Sequence, residues 1–257
     1  MESSVKPIEQ MRVDNLQLQV FETREEMGIQ AAYDVARYMK ELDQKQDHIR
    51  MIFASAPSQN EFLKALIQIP DLPWKKVEAF HMDEYIGLEA EAPQRFSHYI
   101  QTHLFDHVKP GKIHLIQPQA TDPIQECNRY SQLLQEEKID IVCLGIGENG
   151  HIAFNDPPVA DFNDPEAVKL VELEQVCRQQ QVNDKCFATI EEVPTHAITL
   201  TIPTIMGASK LFCIVPGATK KMAVRQTLEG PIHTQCPASI LRQHPSCILY
   251  IDKDARK

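Results

Sequence analysis

The apolar residues of this chain follow two periods that alternate along its length. Short apolar runs rich in β-branched residues predict strands, whereas stretches in which apolar residues recur every three or four positions predict helices. The N-terminal residues 1–14 are polar and are expected to be loose. The predicted strands cover residues 16–21, 47–54, 74–82, 113–116, 139–144, 196–202, 211–215 and 247–251. The predicted helices cover residues 23–42, 60–67, 95–105, 121–134, 217–228 and 237–241.

Strands and helices alternate through the first half of the chain, which is typical of a doubly wound α/β sheet. The chain shows no internal repeat and no second-domain boundary, so residues 1–257 are expected to form a single domain. The stretch 157–194 departs from the alternation, because it is long, polar and weakly patterned. We interpret residues 159–193 as a lid over the predicted site, with an amphipathic piece near 168–176.

The net charge and the cysteine content limit which binding partners and which cellular compartment are expected. The net charge of −10 argues against a nucleic-acid surface, since such surfaces carry basic stripes. An anionic small molecule is compatible with this charge if a few cations line one pocket. No apolar stretch reaches the length of a membrane span, and the seven cysteines, without a CxxC pair, suit buried thiols in a reducing compartment. These features predict a soluble cytoplasmic protein with no membrane partner.

Several side chains that can transfer protons or form hydrogen bonds follow the predicted strand at 139–144. There the chain passes through a glycine-rich stretch that includes Gly147 and then presents His151, Asn155 and Asp156. Polar groups just beyond the carboxyl end of a buried strand lie where open α/β sheets bind ligands. The alternative interpretation is a glycine-rich loop whose histidine caps a helix, because glycine spacing alone is a weak signal.

Two other predicted strands also end in polar residues. The second strand leads through Ser55, Ser58 and Gln59 into a helix, an arrangement suited to holding a phosphate. The alternative for this loop is an ordinary helix start capped by Ser58. The third strand is followed by Asp83 and Glu84 between apolar residues. Carboxylates in such a setting are costly to bury without a partner or a task, so both are candidate functional residues.

Two of these regions together resemble the glucosamine-6-phosphate deaminase family. The matching segments read FHMDEYIGL at 80–88 and LGIGENGHIAFNDP at 144–157, and the resemblance extends over nearly the whole chain. It implies a modified Rossmann-type α/β fold, with a mostly parallel central sheet and helices on both faces. It also implies a reaction without metal or cofactor, in which an aldose amino-sugar phosphate is opened, isomerised to a ketimine and hydrolysed to fructose 6-phosphate and ammonia. A related lactonase of the same superfamily, 6-phosphogluconolactonase, is expected to lack the DEY and FN(E/D)P runs.

The resemblance implies catalytic roles for four residues. Asp83 matches the aspartate that moves a proton from C2 to C1, and His151 matches the histidine that serves ring opening. Asp156 matches the acid that supports this histidine, although glutamate is usual there, and Asn149 occupies a position that is Asp or Asn among members. The residue types suit these tasks, because a carboxylate can act as the base near C1 and C2, and histidine titrates near neutrality.

The resemblance also implies a phosphate clamp formed by Arg178 in the lid and Lys220 after a strand-ending glycine. A guanidinium fork together with an ammonium group suits a dianion. The family's Gly-Gly-Thr loop is replaced here by a stretch containing Pro57, which has no N–H to donate. The expected substrate and phosphate ligands are Ser55, Ser58, Gln59, Glu84, Gly147, Arg178 and Lys220.

Three alternative functions stay open at this point. The substrate could be another hexosamine phosphate such as galactosamine 6-phosphate, or the chain could be a 6-phosphogluconolactonase-like hydrolase, or it could bind a sugar phosphate without turnover. Retention of both Asp83 and His151 favours an enzyme, since a sensor needs no proton-transfer pair. A metal site is not expected, because the sequence has no HxxxH or Cys/His cluster. The expected partner is a small-molecule sugar phosphate, and assembly into a homo-oligomer is left open.

Overall fold

The computed structural model describes residues 5–119 and 122–256. No helix in these two ranges combines the length and the apolar character needed to cross a bilayer. The strands are β1 Glu9–Val13, β2 Leu16–Phe21, β3 Ile49–Phe53, β4 Val77–His81, β5 Asp83–Tyr85, β6 Lys112–His114, β7 Ile141–Leu144, β8 Val168–Glu172, β9 His196–Leu200, β10 Lys210–Val215 and β11 Cys247–Asp252. The helices are α1 Arg24–Asp43, α2 Asn60–Gln68, α3 Phe96–Ile100, α4 Asp106–Val108, α5 Pro123–Gln135, α6 Gln175–Asn183, α7 Ile202–Met206, α8 Lys221–Glu229 and α9 Lys253–Arg256.

Eight strands form a large sheet in the order β1-β2-β11-β10-β7-β3-β4-β6. Every pairing in it is parallel except that of β1 with β2. The central strands β3 and β7 are buried at every position, because helices cover both faces of the sheet. Met51 and Phe53 of β3 pack with residues of α1 and α2, whereas Ile52 packs with residues of α5 and α8. The predicted α/β fold, with a mostly parallel sheet and helices on both faces, is confirmed.

A smaller sheet of three antiparallel strands has the order β5-β9-β8. Its first strand follows β4 after the single residue Met82, whose carbonyl oxygen accepts a hydrogen bond from the backbone N–H of Leu200 at 2.9 Å. One face of this sheet packs on a cluster of aromatic rings with centroid separations of 4.7 to 5.6 Å. The rings belong to Tyr85, Phe96, Phe154 and Phe187.

The expectation of a loose N-terminus is wrong for Glu9–Val13, which forms β1, while residues 1–4 lie outside the described residues. The strand pairs with β2 from Glu9↔Val20 to Val13↔Leu16, and the chain reverses through Asp14, whose φ of 52° lies in the left-handed region that aspartate tolerates. Its polar residues are compatible with a strand because β1 is the exposed edge of the sheet.

Several predicted elements also differ from the structure in their bounds or in their type. The strand predicted at 74–82 begins later, because Pro73 leads into a 3-10 turn at Trp74–Lys76 before β4. The helix predicted at 237–241 is a 3-10 helix, Pro237–Gln243. Helix α5 starts at Pro123 with Asp122 as its N-cap, and the predicted starting residue 121 lies outside the described residues.

The stretch predicted as a lid is more regular than its sequence suggests. It contributes β8 to the small sheet, then α6, and then the 3-10 turn Ile190–Glu192. Strand β8 pairs with β9 over five residues, and Val171, Leu173 and Cys177 join the aromatic cluster. The stretch is therefore anchored at its start by strand pairing, and its mobility stays a prediction.

Candidate active site

A cavity of about 350 Å³ opens where the carboxyl ends of β3, β4, β7 and β10 meet. The loops that follow these strands form most of its wall, and residues of α1, α3, α6 and the turn after α6 contribute the rest. This is the edge of a parallel sheet at which ligands are expected to bind. The predicted site residues that line the cavity are Ser55, Ser58, Asp83, Gly147, His151 and Lys220.

His151 lies at the centre of a hydrogen-bond network in the loop after β7. Its Nδ1 is 2.8 Å from Asn149 Oδ1 and 2.9 Å from Asp156 Oδ1. Asn149 also accepts from the backbone N–H of His151, and its Nδ2 donates to Asp156 and Glu174 at 2.9 Å. The network fixes the imidazole and engages Nδ1, so Nε2 is the nitrogen left for a ligand.

Asp156 is only 1 % exposed, yet its surroundings favour the charged form. Burial by itself would raise the pKa of its carboxyl group, but the charge of His151 and hydrogen bonds from His151 and Asn149 outweigh burial and lower the pKa. A carboxylate in this place stabilises the imidazolium that His151 becomes when it accepts a proton. Asp156 is thus able to support the histidine despite being one methylene shorter than glutamate.

Gly147 is needed because the ring of His151 occupies the space beside it. A Cβ atom at position 147 would stand 2.1 Å from Cε1 of the imidazole, far inside the range of real contacts. The backbone N–H of Gly147 also donates to His151 O at 2.9 Å, which closes the turn between them. Gly147 therefore positions the histidine in addition to lining the cavity.

Asp83 lines the cavity from the first position of β5. Burial raises the pKa of its carboxyl group well above the usual value, and the charge of the neighbouring Glu84 raises it further. Asp83 is 7 % exposed, and within the described residues no hydrogen bond reaches its carboxyl oxygens. A carboxylate of this kind takes up a proton readily, which is the property required of a general base that works near neutral pH.

Glu84 does not reach the cavity, although it follows Asp83 directly. Successive side chains of a strand point to opposite faces, so Glu84 points away from the side that Asp83 faces. Its fully buried carboxylate accepts the backbone N–H groups of Tyr85, Phe96 and Ser97 at 2.9 to 3.0 Å. Glu84 thus has a structural role at the start of α3, and its predicted contact with substrate stays a prediction.

The loop after β3 combines two hydroxyl groups that line the cavity with an amide that supports the loop. A 3-10 turn, Pro57–Gln59, leads into α2, and Ser55 and Ser58 line the cavity. Ser55 Oγ is buried and has no hydrogen-bond partner in the described part of the chain, so it is available to a ligand. Gln59 instead donates its Nε2 to Ile214 O and Ser58 Oγ at 3.2 Å. Gln59 thus holds the loop against β10 and does not itself line the cavity, and its contact with a ligand stays a prediction.

The structure brings Lys220 to the cavity but turns Arg178 away from it. Lys220 is 5 % exposed, and burial lowers the pKa of its ammonium group. Arg178 lies on α6, where Nη2 donates to the carbonyl oxygens of Ile190 and Val193 at 2.7 and 2.8 Å. The arginine ties α6 to the end of the lid stretch, so the predicted clamp of Arg178 with Lys220 is not assembled here.

The cavity also receives polar side chains that the sequence did not single out, among them Arg24, Gln180 and Asp184. Gln180 Oε1 accepts from the backbone N–H of Glu148 at 2.8 Å, which joins α6 to the loop after β7. The position of Arg24 in the sequence could have indicated a functional role. It follows the N-cap Thr23, and a cation in the first turn of a helix is unfavourable beside the positive end of the helix dipole.

The loop after β7 and helix α6 also bring together a set of potential metal ligands. One donor atom from each of His151, Asp156 and Cys177 lies within 4.8 Å of the others. Their spacing along the chain matches no metal-binding motif, so this group could not be predicted from the sequence. Burial and the charge of Asp156 raise the pKa of the Cys177 thiol, which disfavours the thiolate that binds metals. The group therefore fits a histidine–carboxylate pair better than a metal centre.

Known proteins resemble this chain over most of its length. The family model described as glucosamine-6-phosphate isomerases/6-phosphogluconolactonase matches residues 22–249. A glucosamine-6-phosphate deaminase of Listeria monocytogenes serovar 1/2a is 36 % identical over 198 residues, which cover 77 % of this chain and 82 % of that protein. A glucosamine-6-phosphate deaminase of Bacillus cereus strain G9842 is 38 % identical over 184 residues, which cover 72 % of this chain and 68 % of that protein.

Solved structures extend the comparison to the fold. A structure described as a monomeric glucosamine-6-phosphate deaminase superposes with a TM-score of 0.85 at 31 % identity, covering 95 % of this chain and 98 % of that one. A 6-phosphogluconolactonase from Thermotoga maritima superposes with a TM-score of 0.75 at 17 % identity, covering 93 % and 100 %. The second likeness concerns the fold alone.

Proposed function

We propose that this chain, which belongs to the family of glucosamine-6-phosphate isomerases and 6-phosphogluconolactonases, is an enzyme that deaminates an amino-sugar phosphate. The proposed reaction converts glucosamine 6-phosphate and water to fructose 6-phosphate and ammonia, in line with the deaminase names of its relatives. The observation that carries the proposal is that Asp83, His151 and Lys220 line one cavity. A base, an acid–base group and a cation are the groups that this isomerisation of a sugar phosphate needs.

In this proposal His151 opens the sugar ring. Its Nδ1 is engaged by Asn149 and Asp156, so Nε2 carries the proton from the C1 hydroxyl to the ring oxygen as the bond between C1 and that oxygen breaks. Asp156 stabilises the positive charge that the imidazole acquires on the way. Asn149 keeps both partners in place because it contacts each of them.

Asp83 then moves a proton from C2 to C1 of the open chain. Removal of the C2 proton, with one proton moving from the C2 ammonium group to the oxygen on C1, gives an enolamine, and return of the abstracted proton to C1 gives a protonated ketimine at C2. Water adds to C2 and ammonia leaves, which yields fructose 6-phosphate. The raised pKa of Asp83 supports this role, since it makes the carboxylate a stronger base than an exposed aspartate.

Lys220 and Ser55 are proposed to contact the phosphate group. Lys220 supplies local positive charge in a protein whose net charge is −10. An anion beside it restores the charged form of the amine, which burial disfavours. Ser55 Oγ is buried at the cavity, and in the described part of the chain it has no partner that competes with a ligand.

The test is to measure ammonia and fructose 6-phosphate after the purified chain is mixed with glucosamine 6-phosphate. Galactosamine 6-phosphate and 6-phosphogluconolactone serve as competing substrates in parallel reactions. We expect equal amounts of the two products from glucosamine 6-phosphate. Hydrolysis of the lactone without ammonia release would show that the chain is a lactone hydrolase and not a deaminase. Binding of all three compounds without turnover of any would show that the chain is a sugar-phosphate sensor.

We also infer a cytoplasmic location and leave assembly to experiment. All seven cysteines are free thiols, which suits a reducing compartment. One similar solved structure is described as monomeric, whereas the sequence leaves a homo-oligomer open. The sedimentation velocity of the purified chain distinguishes the two states.

A further inference from the structure

We propose that Arg24 is the second cation that holds the substrate's phosphate group, acting together with Lys220. This inference rests on the proposed sugar-phosphate substrate, and it replaces the clamp predicted with Arg178. One lysine does not balance a phosphate dianion, and the charges of Asp184 and Glu148 already act on Lys220. Arg24 and Lys220 are the only lysine or arginine side chains among the described residues that line the cavity.

Arg24 reaches the cavity from the start of α1. The helix start is fixed by Thr23, whose Oγ1 accepts from the backbone N–H of Glu26 at 3.2 Å. Nη1 of Arg24 lies 4.0 Å from the point where a Cβ atom on Gly217 would stand. Gly217 immediately precedes the 3-10 turn Ala218–Lys220, which carries the lysine. The guanidinium group therefore lies beside the turn that delivers Lys220 to the cavity.

The guanidinium group is fixed through one edge and open at the other. Nε and Nη2 donate to the two carboxylate oxygens of Glu61 at 3.1 Å each, and Nη2 also donates to Pro57 O at 3.4 Å. Arginine has five N–H donors, and these contacts use three of them, so the two on Nη1 remain for a ligand. A side chain that is already ordered loses less entropy when it binds phosphate oxygens.

Pro57 helps to position Arg24 in this arrangement. The proline removes one backbone N–H from the loop after β3, which weakens any phosphate cradle made by the backbone. Its carbonyl oxygen, however, accepts from Arg24 and helps to hold the guanidinium at the same loop. A charged donor thus compensates for the missing backbone donor. The buried Ser55 Oγ, which has no partner among the described residues, offers a further contact at the start of the loop.

Glu61 reduces the positive charge around Arg24 without cancelling it. The side chains of Arg24 and Glu61 are 43 % and 28 % exposed, so water screens their attraction. The carboxylate faces Nε and Nη2, which leaves Nη1 on the other side of the planar group. We therefore expect Arg24 to bind phosphate while it stays paired with Glu61.

The test compares Arg24→Gln with the parent chain in two assays. The KM for glucosamine 6-phosphate should rise about 10- to 100-fold, the range expected for a hydrogen bond to a charged group, while kcat changes little. The affinity for inorganic phosphate, measured by calorimetry, should fall by a similar factor. Arg225→Gln is the matched control, because it breaks another Arg–Glu pair, with Glu229 on the exposed side of α8, and should change neither quantity.

Arg24→Lys separates charge from geometry, and it should retain part of the phosphate affinity that Arg24→Gln loses. Unchanged KM and unchanged phosphate affinity in Arg24→Gln would overturn the proposal, as would a fall in kcat with both of these intact. If the parent binds inorganic phosphate through Arg24 but does not turn over glucosamine 6-phosphate, the proposed function fails while the anion site stands. A parent chain that binds no phosphate overturns the site itself.

Discussion

The two sides of the cavity treat a buried carboxyl group in opposite ways. On the side of the small sheet, burial raises the pKa of Asp83, and within the described residues no donor reaches its carboxyl oxygens. On the side of β7, Asp156 is also buried, yet the charge of His151 and hydrogen bonds from His151 and Asn149 lower its pKa. The difference teaches that the neighbouring charges and hydrogen-bond donors, and not burial alone, decide which protonation state a buried carboxyl group takes. Asp83 is left reactive, whereas Asp156 is made a fixed negative charge.

The largest expected effect comes from removing the reactive carboxyl group. Asp83→Asn keeps the shape of the side chain but cannot take a proton at neutral pH. We expect kcat to fall by about 10²-fold or more, the lower end of general-base effects, with little change in the binding of a substrate analogue. The measurement pairs turnover with exchange of the C2 proton into deuterated water.

Near-normal exchange and turnover in Asp83→Asn would move the base to another residue. Glu84, the neighbouring carboxyl group, is a poor replacement, because its carboxylate is occupied by three backbone N–H groups. His151 would then be the better candidate, because it lines the same cavity. A loss of analogue binding in the variant would instead show that Asp83 binds the sugar in its ground state.

Substitution of Asp83 and of Asp156 is expected to change the stability of the folded chain by a smaller amount, and in opposite directions. At neutral pH the charged form of Asp83 opposes folding, because its pKa is raised in the folded chain, so Asp83→Asn should raise the melting temperature. Asp156 has a lowered pKa and its charge favours folding, so Asp156→Asn should lower the melting temperature. Each kcal/mol corresponds to roughly 2–4 °C in a chain of about this size.

The changes in stability caused by Asp83→Asn and Asp156→Asn should also depend on pH in different ways. An unfolded aspartate has a pKa of about 3.9, so both groups are protonated in the folded and unfolded chains in strong acid. As pH rises above that value, the penalty from Asp83 grows until its folded pKa is reached, and Asp83→Asn gains stability relative to the parent. The contribution of Asp156 is complete above its unfolded pKa and is lost as pH falls through its lowered folded pKa. Melting curves of both variants that shift in the same direction at pH 7 would contradict the comparison.

The smallest expected effect concerns the lid. Residues 159–193 supply part of the cavity wall through α6 and the turn after it, so a bound sugar phosphate should hold that stretch more tightly. We expect amide hydrogen exchange there to slow by a few-fold at saturating ligand, while β3 at the centre of the sheet serves as an unchanged reference. Equal exchange with and without ligand would remove the lid interpretation and leave a fixed wall.

The sequence predicted the parts of this site that follow from local rules. Parallel strands bring their carboxyl ends to one edge, so the loops around Ser55, His151 and Lys220 had to meet there. Asp83 and His151 were identified by their segments and do line the cavity. Gly147 was expected to contact substrate, but its close approach to the histidine ring depends on how the turn folds.

Other parts of the site could not be predicted, because they depend on where a strand or helix begins or on contacts between distant parts of the chain. Glu84 was assigned to substrate because strand β5 was not predicted, and only a strand places it on the face opposite Asp83. On α6, Gln180 lines the cavity, and Arg178, two positions earlier, falls on the other side of the helix. Arg24 approaches the loop that carries Gly217, a contact between distant parts of the chain that no local pattern reports.

The chain crosses from the large sheet to the small sheet over the single residue Met82, which separates β4 from β5. The register of one sheet against the other therefore sets where Asp83 stands relative to the loop after β7. A graft with its splice point between β4 and β5 would carry the aspartate into the wrong place, so those two strands have to be transplanted as a single piece.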